Sequence, residues 1–167
     1  MLVKLLRILN RLKDPRDLWL FLRILSTLAI LPRKIDRLSL PVLLKDIDPG
    51  VSGLPRDSAK LNMTVGFVDS LLKYRIFQRY GKCLLRSLVL FRLLRLQGWP
   101  VSIYFGVRKT SGYKAGAESA SHPGRLTRNF DITGHSWLVF DGKPFLESAP
   151  EEFATTLSYP EHPGTAS

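Results

Sequence analysis

An α+β domain is predicted from three features of the chain. Leucine-rich helical patterns fill the first third, a helix apolar on nearly every side lies near the middle, and β-branched and aromatic runs come last. At 167 residues and 18.9 kDa the chain has the length of one domain. Its 45% apolar and 23% charged residues match a packed protein and exclude a wholly disordered or collagen-like one. A single cysteine excludes an internal disulfide framework and a multi-cysteine zinc site. Twenty-five Lys and Arg against 14 Asp and Glu leave a net charge of +11, with a pI near 10.2. The expected use of that charge is an acidic partner, an anionic membrane surface, or solubility.

The elements follow in order. Residues 1–47 read as basic, leucine-rich helices that pack on the core. Leu2, Leu5, Leu6, Leu9 and Leu12 recur at helical spacing, with Lys4, Arg7, Arg11 and Lys13 between them. Asp14-Pro15 is a cap and first-turn signal, because proline loses nothing where the amide has no helical acceptor. The helix it opens is expected over 15–31, stopping before Pro32, and 33–47 is a weaker, proline-interrupted segment. Such a basic hairpin also suits peripheral contact with an anionic membrane. The longest apolar run, 18–31, contains Arg23 and falls short of the roughly 20 residues a spanning helix needs. The N-terminus lacks the uninterrupted apolar stretch of a secretory signal. A cytoplasmic location with a reduced thiol is therefore expected.

Residues 48–57 (DPGVSGLPRD) form a Pro/Gly loop. A core over 58–150 then opens with a helix expected over 58–80, which Gly81 interrupts. Residues 83–97 (CLLRSLVLFRLLRLQ) predict a buried helix, stopped by Gly98 and Pro100. Residues 101–107 (VSIYFGV) predict a strand. Residues 108–131 read as a flexible inserted loop, rich in Gly, Ser and Lys, of a length that is often functional. A strand over 132–140 (ITGHSWLVF), an Asp141-Gly142 hairpin turn and a return strand over 143–147 close the core. Residues 151–167 read as an acidic, proline-bearing tail that frays. No acidic residue stands between Asp69 and Glu118, while ten basic ones do, among them Lys73, Arg75, Arg79, Lys82 and Arg86.

The chain contains no P-loop, GxGxxG or HExxH sequence, and His122, His135 and His162 have no metal-ligand spacing. Neither a metal nor a cofactor is expected. Cys83 is the outstanding residue. It stands at the predicted start of the buried helix, where unpaired amides and the helix dipole favour an anion. A cysteine there, with a histidine on a later strand, is the arrangement a cysteine nucleophile needs; the plainer reading of a lone cysteine in an apolar helix is core packing. His135, on a strand close to Trp137, is the base candidate, whereas His122 lies in the loop and His162 in the tail. A third group must orient the imidazole. A three-residue hairpin loop, 140–142, would pair His135 with Glu147 on one face, their β-carbons about 4.5–5.5 Å apart. A two-residue turn, Asp141-Gly142, would set Glu147 opposite Ser136 on the other face. Both registers are open to the sequence. Asp141 lies six residues along from His135, roughly 20 Å in an extended strand, and is a turn residue.

Three segments together resemble one family: DLWLFLRILSTLAILP (17–32), GKCLLRSLVLFRLLRLQGWPVSIYFGV (81–107) and GHSWLVFDGKPFLE (134–147). They resemble the transglutaminase-like leader peptidases of lasso-peptide biosynthesis. In that family a cysteine opens a leucine-rich helix, a histidine stands in an "HAWVExDG" segment, and a carboxylate follows about twelve residues later. Cys83 matches the nucleophile, His135 the base, and Glu147 a position usually held by aspartate. HSW stands where HAW is usual, and the 108–131 loop lengthens the spacing from cysteine to histidine. The resemblance implies a transglutaminase/papain-like core and leader removal from a ribosomally made lasso precursor by Cys-His-acid acyl transfer. Backbone amides at the helix start, including that of Cys83, would form the oxyanion hole, with Gln78 as a side-chain candidate. It also implies a separate small leader-recognition protein and an asparagine-synthetase-like macrocyclase as partners. The all-helical reading of the first fifty residues matches the form without a fused recognition domain. Lys73, Arg75 and Arg79 are the candidate docking residues for an acidic leader or partner. Two other classes fit the residues: another acyltransferase or amidase of this fold, and a nonenzymatic protein binding nucleic acid or membrane through its charge.

Overall fold

The computed structural model describes residues 15–74, 77, 80–110, 131–147 and 153–160. Four helices precede a four-stranded antiparallel sheet, in agreement with the α+β reading: α1 (Pro15–Ile35), α2 (Leu40–Ile47), α3 (Ser58–Leu71), α4 (Lys82–Leu96), β1 (Ser102–Thr110), β2 (Asp131–Phe140), β3 (Lys143–Phe145) and β4 (Ala154–Tyr159).

Helix α4 is the centre of the molecule. Leu85, Leu88, Leu90, Phe91 and Leu94 are each fully enclosed, as expected of a helix apolar around its circumference. Its three arginines are absorbed by neighbours. Arg86 donates to Asp69 of α3 (Nε···Oδ1 2.7 Å), Arg92 to the carbonyl of Ile47 (2.8 Å), and Arg95 to Asp48 (Nε···Oδ1 2.7 Å). Part of the positive charge along the chain therefore holds helices together instead of facing solvent. The remaining helices clamp α4 with one apolar face each. In α1 that face is Leu20, Phe21, Ile24, Leu28 and Leu31; in α2 it is Leu43, Leu44 and Ile47; in α3 it is Leu61, Thr64, Val68 and Leu71. Asp57 caps α3 by accepting from the amides of Ala59 (2.8 Å) and Lys60 (3.1 Å).

Two helix ends differ from expectation. Helix α1 continues through Pro32 to Ile35. Proline removes one amide and crowds the preceding turn. Only three residues follow it, however, and Leu31 is buried while Ile35 packs on the core. The Pro32 carbonyl still accepts from the Asp36 amide (3.1 Å), and the Arg33 guanidinium donates to the Ala29 carbonyl (2.8 Å). Helix α3 ends at Leu71, well short of residue 80, and a turn holding exposed Lys73 follows.

The sheet has the order β3-β2-β1-β4. Strands β1 and β2 pair over their whole lengths, from Ser102 opposite Val139 to Thr110 opposite Asp131. The strands thus extend into both ends of the predicted 108–131 loop; residues 111–130 lie outside the described residues, as do 1–14. The tail expectation is corrected: residues 154–159 form β4, which pairs antiparallel with β1. The ATTLSY stretch supplies β-branched and aromatic residues, and the free edge of β1 supplies the backbone partners; the acidic residues before it obscure the pattern. Trp99 packs edge-on against Phe140 (5.6 Å between centroids) and beside Phe145 (5.8 Å), closing the lower end of the core.

Candidate active site

Cys83 is the second residue of α4. Gly81 precedes the helix with φ +79°, a left-handed conformation that glycine adopts without the Cβ clash of other residues. As N-cap, Gly81 brings no side chain to the first-turn amides, which have no acceptor within the helix. Helix α4 is fixed against the sheet at the next turn, where the Ser87 hydroxyl donates to the Ser136 carbonyl of β2 (2.8 Å, both buried). This bond sets the cysteine-bearing helix end against the strand that carries His135.

His135 lies on β2 opposite Gly106 of β1. Its ring stacks on Trp137, two residues along the same face (6.0 Å, 15°), and contacts Phe153 (5.2 Å) ahead of β4. Gly106 makes room for this arrangement. A β-carbon at 106 would come within 2.9 Å of both the Trp137 ring and the Ala154 carbonyl. The imidazole Nε2 and Glu147 Oε2 are 3.2 Å apart, with both side chains about three-quarters buried. An ionised carboxylate only accepts, so in this contact Nε2 is the donor, and the neutral ring with that tautomer has its lone pair on Nδ1.

The hairpin reaches this contact by a route the pairing arithmetic does not contain. Asp141 (φ +49°) and Gly142 (φ +72°) form the two-residue turn, as a type I′ hairpin requires. Leu138 then opposes Phe145, and Phe140 opposes Lys143. Continued, this register would put Glu147 opposite Ser136, on the wrong face for His135. The strand instead stops at Phe145, and Leu146 takes φ +67°. That single left-handed residue breaks the alternation and returns Glu147 to His135. The predicted return strand over 143–147 is therefore corrected to three residues and a bend.

Cys83 and His135 line one cleft of about 530 Å³, and Cys83, Ser136 and Glu147 line a second of about 410 Å³. The cysteine thus borders both recesses, the histidine the larger and the carboxylate the smaller. Of the other sequence candidates, Lys73 is exposed in the turn after α3, while Gln78, Arg75 and Arg79 lie outside the described residues. His122 and His162 also lie outside them. Sequence reasoning missed three contributors: Ser87, which pins helix to strand; Phe153, which packs on the imidazole; and Leu146, whose backbone redirects the acid. Nothing in a Ser, Phe or Leu marks such a role before the fold brings it into place.

A helix-start cysteine, a strand histidine and a carboxylate on that histidine form a known family arrangement, and a family model matches here. The Transglutaminase-like superfamily model covers residues 23–158. The chain belongs to the transglutaminase-like superfamily. This superfamily includes cysteine peptidases and acyltransferases, so a cysteine-type enzyme is the general class. The match spans all three site residues and most of α1. Comparisons with curated proteins and with solved structures returned no match. No helix among the described residues is long and apolar enough to cross a membrane.

Proposed function

We propose that this transglutaminase-like protein is a cysteine peptidase that removes the leader from a ribosomally synthesised lasso-peptide precursor. The observation that carries the catalytic part is the contact between Glu147 and His135 Nε2 beside the cleft that holds Cys83. The substrate part rests on the resemblance of the three sequence segments. Nδ1 of His135 takes the thiol proton from Cys83, and the thiolate attacks the scissile carbonyl. Amides of the first turn of α4, that of Cys83 among them, stabilise the oxyanion. The carbon–nitrogen bond breaks as the imidazolium returns its proton to the leaving amine, and a thioester remains on Cys83. His135 then deprotonates water, which attacks the thioester and releases a carboxylic acid and the free thiol. Glu147 holds the imidazole in the required tautomer and offsets its charge while it is protonated.

A separate small leader-recognition protein presents the precursor, and an asparagine-synthetase-like macrocyclase consumes the product. The recognition protein docks at the segment that carries Lys73, Arg75 and Arg79. The test is incubation of the full chain with a candidate precursor and its recognition protein in H₂¹⁸O, read by mass spectrometry. The expected result is a shortened precursor, one ¹⁸O atom in the new leader carboxylate, and no cleavage with Cys83→Ala. An intact precursor alongside a reactive, His135-dependent thiol would sink the peptidase assignment and leave a different acyl transfer.

A further inference from the structure

The two recesses beside Cys83 differ in chemistry. The larger is walled by Ile35, Leu38, Leu40 and Leu43 from the N-terminal helices and by Leu84 and Val107 from the core. Among the described residues its ionisable lining groups are Cys83, His135 and Tyr80, and no Asp, Glu, Lys or Arg lines it. The smaller is bordered by Lys82, Arg86 and Glu147. Its guanidinium is already engaged by Asp69.

Resting on the acyl-transfer reading above, we infer that the larger recess is the substrate subsite for an apolar side chain next to the scissile bond. An aliphatic group entering it leaves water for a surface of leucine, isoleucine and valine. An ionised group would lose its hydration and find no charged partner among the lining residues. The volume, about 530 Å³, lies within the range of clefts that enclose a ligand. The recess is continuous with the site, because Cys83, His135 and Ser136 line it together with the apolar wall. Selection is structurally separate from chemistry. The outer wall belongs to the end of α1, the following turn and α2, whereas Cys83, His135 and Glu147 come from α4, β2 and the bend after β3. The N-terminal helices thus take part in choosing the substrate as well as in building the core.

Cys83 is the sole cysteine, so thiol reagents report on this site alone. The experiment measures second-order alkylation of the full chain by iodoacetamide, N-hexyl iodoacetamide and iodoacetate, each normalised to its rate with glutathione. The expected order is the hexyl reagent fastest, about tenfold above iodoacetamide, and iodoacetate slowest. Leu38→Asn should reduce the hexyl preference and Leu38→Met should keep it, with circular dichroism confirming that each variant is folded. If Leu38→Asn does not fold, the wild-type ratios and Leu38→Met carry the decision. A normalised hexyl ratio near one, or iodoacetate fastest, overturns the subsite assignment. Failure of the underlying chemistry looks different: His135→Ala would then leave iodoacetamide alkylation unslowed.

Discussion

Among the described residues Trp137, Phe153 and Glu147 contact the His135 ring. Trp137 and Phe153 hold its plane, and Glu147 holds the proton on Nε2. Nδ1 is then the basic nitrogen, and His135 borders the same cleft as Cys83. Glu147→Gln tests the acid with little change of volume. An amide can present its NH₂ to Nε2 and favour the opposite tautomer, in which Nδ1 carries the proton and cannot accept from the thiol. Amide substitution of the orienting acid in a serine-protease triad lowers kcat by about 10⁴. For Glu147→Gln a fall of at least about 10²-fold in leader cleavage is expected. Slower Cys83 alkylation near neutral pH should accompany it. Unchanged alkylation in a folded Gln variant would remove Glu147 from the activation of the thiol. Cys83 and His135 were legible in the sequence as residue types at suitable places. Glu147 was named as well, by the resemblance and by one of two hairpin registers, but the choice between registers was not legible, because the contact depends on one φ angle at Leu146.

Strand β2 carries two sets of information, one on each side. Its backbone binds α4 through Ser136, and its ladder with β1 sets His135 opposite Gly106. A residue with a side chain at 106 would push on Trp137 and on the carbonyl of Ala154, neither the end of a flexible chain. Gly106→Ala is therefore expected to destabilise the protein by about 1–3 kcal/mol, as overpacking typically does. It should also displace the Trp137 ring and slow His135-dependent alkylation. Urea denaturation and Trp fluorescence together check this; a variant of wild-type stability and spectrum would show that the sheet absorbs the methyl group at no cost. The strand pattern was readable from the β-branched and aromatic runs of β1 and β2. The β4 strand was not, because six residues inside an acidic tail become a strand only when the edge of β1 is there to pair with them.

The helical layer and the sheet meet at Asp48, just beyond α2. Its carboxylate accepts from Arg95 of α4 (2.7 Å) and from the Gly50 amide (2.8 Å) and acts on Tyr159 at the end of β4. The Arg95 and Asp48 side chains are only 10% and 12% exposed. Removing one partner strands the other, so Asp48→Ala should cost about 3–5 kcal/mol, measured by chemical denaturation. A loss under about 1 kcal/mol would mean that water or the Val101 carbonyl, which Arg95 also contacts at 3.2 Å, compensates for the ion pair. Burial, and then the negative charge of Asp48, raise the Tyr159 phenol above its ordinary range. A group whose folded pKa is raised contributes stability that is complete below its unfolded pKa and is lost as pH rises through the folded one. Stability should therefore hold to about pH 10 and fall above it, and Tyr159→Phe should flatten that alkaline fall. Denaturation midpoints measured up to about pH 11 follow the slope; equal slopes for variant and wild type would assign the fall to other groups.

Local chemistry is enough to read off the helix-then-strand order, the buried helix opened by Cys83, the Asp141-Gly142 turn and the strand bearing His135. Hydrophobic period and turn residues act over a few neighbours, and those neighbours are in the sequence. Other features came from contacts between distant segments. Helix α1 passes through Pro32 because Leu31 and Ile35 are held by the core. Arg86, Arg92 and Arg95 stand in an expected buried helix with no partner nearby in the sequence, and in the fold they are tied to Asp69, Ile47 and Asp48. Glu147 meets His135 because a three-residue strand ends in a left-handed leucine. In each case the deciding energy is burial, pairing or backbone direction set by residues far along the chain, a quantity that no local window of sequence contains.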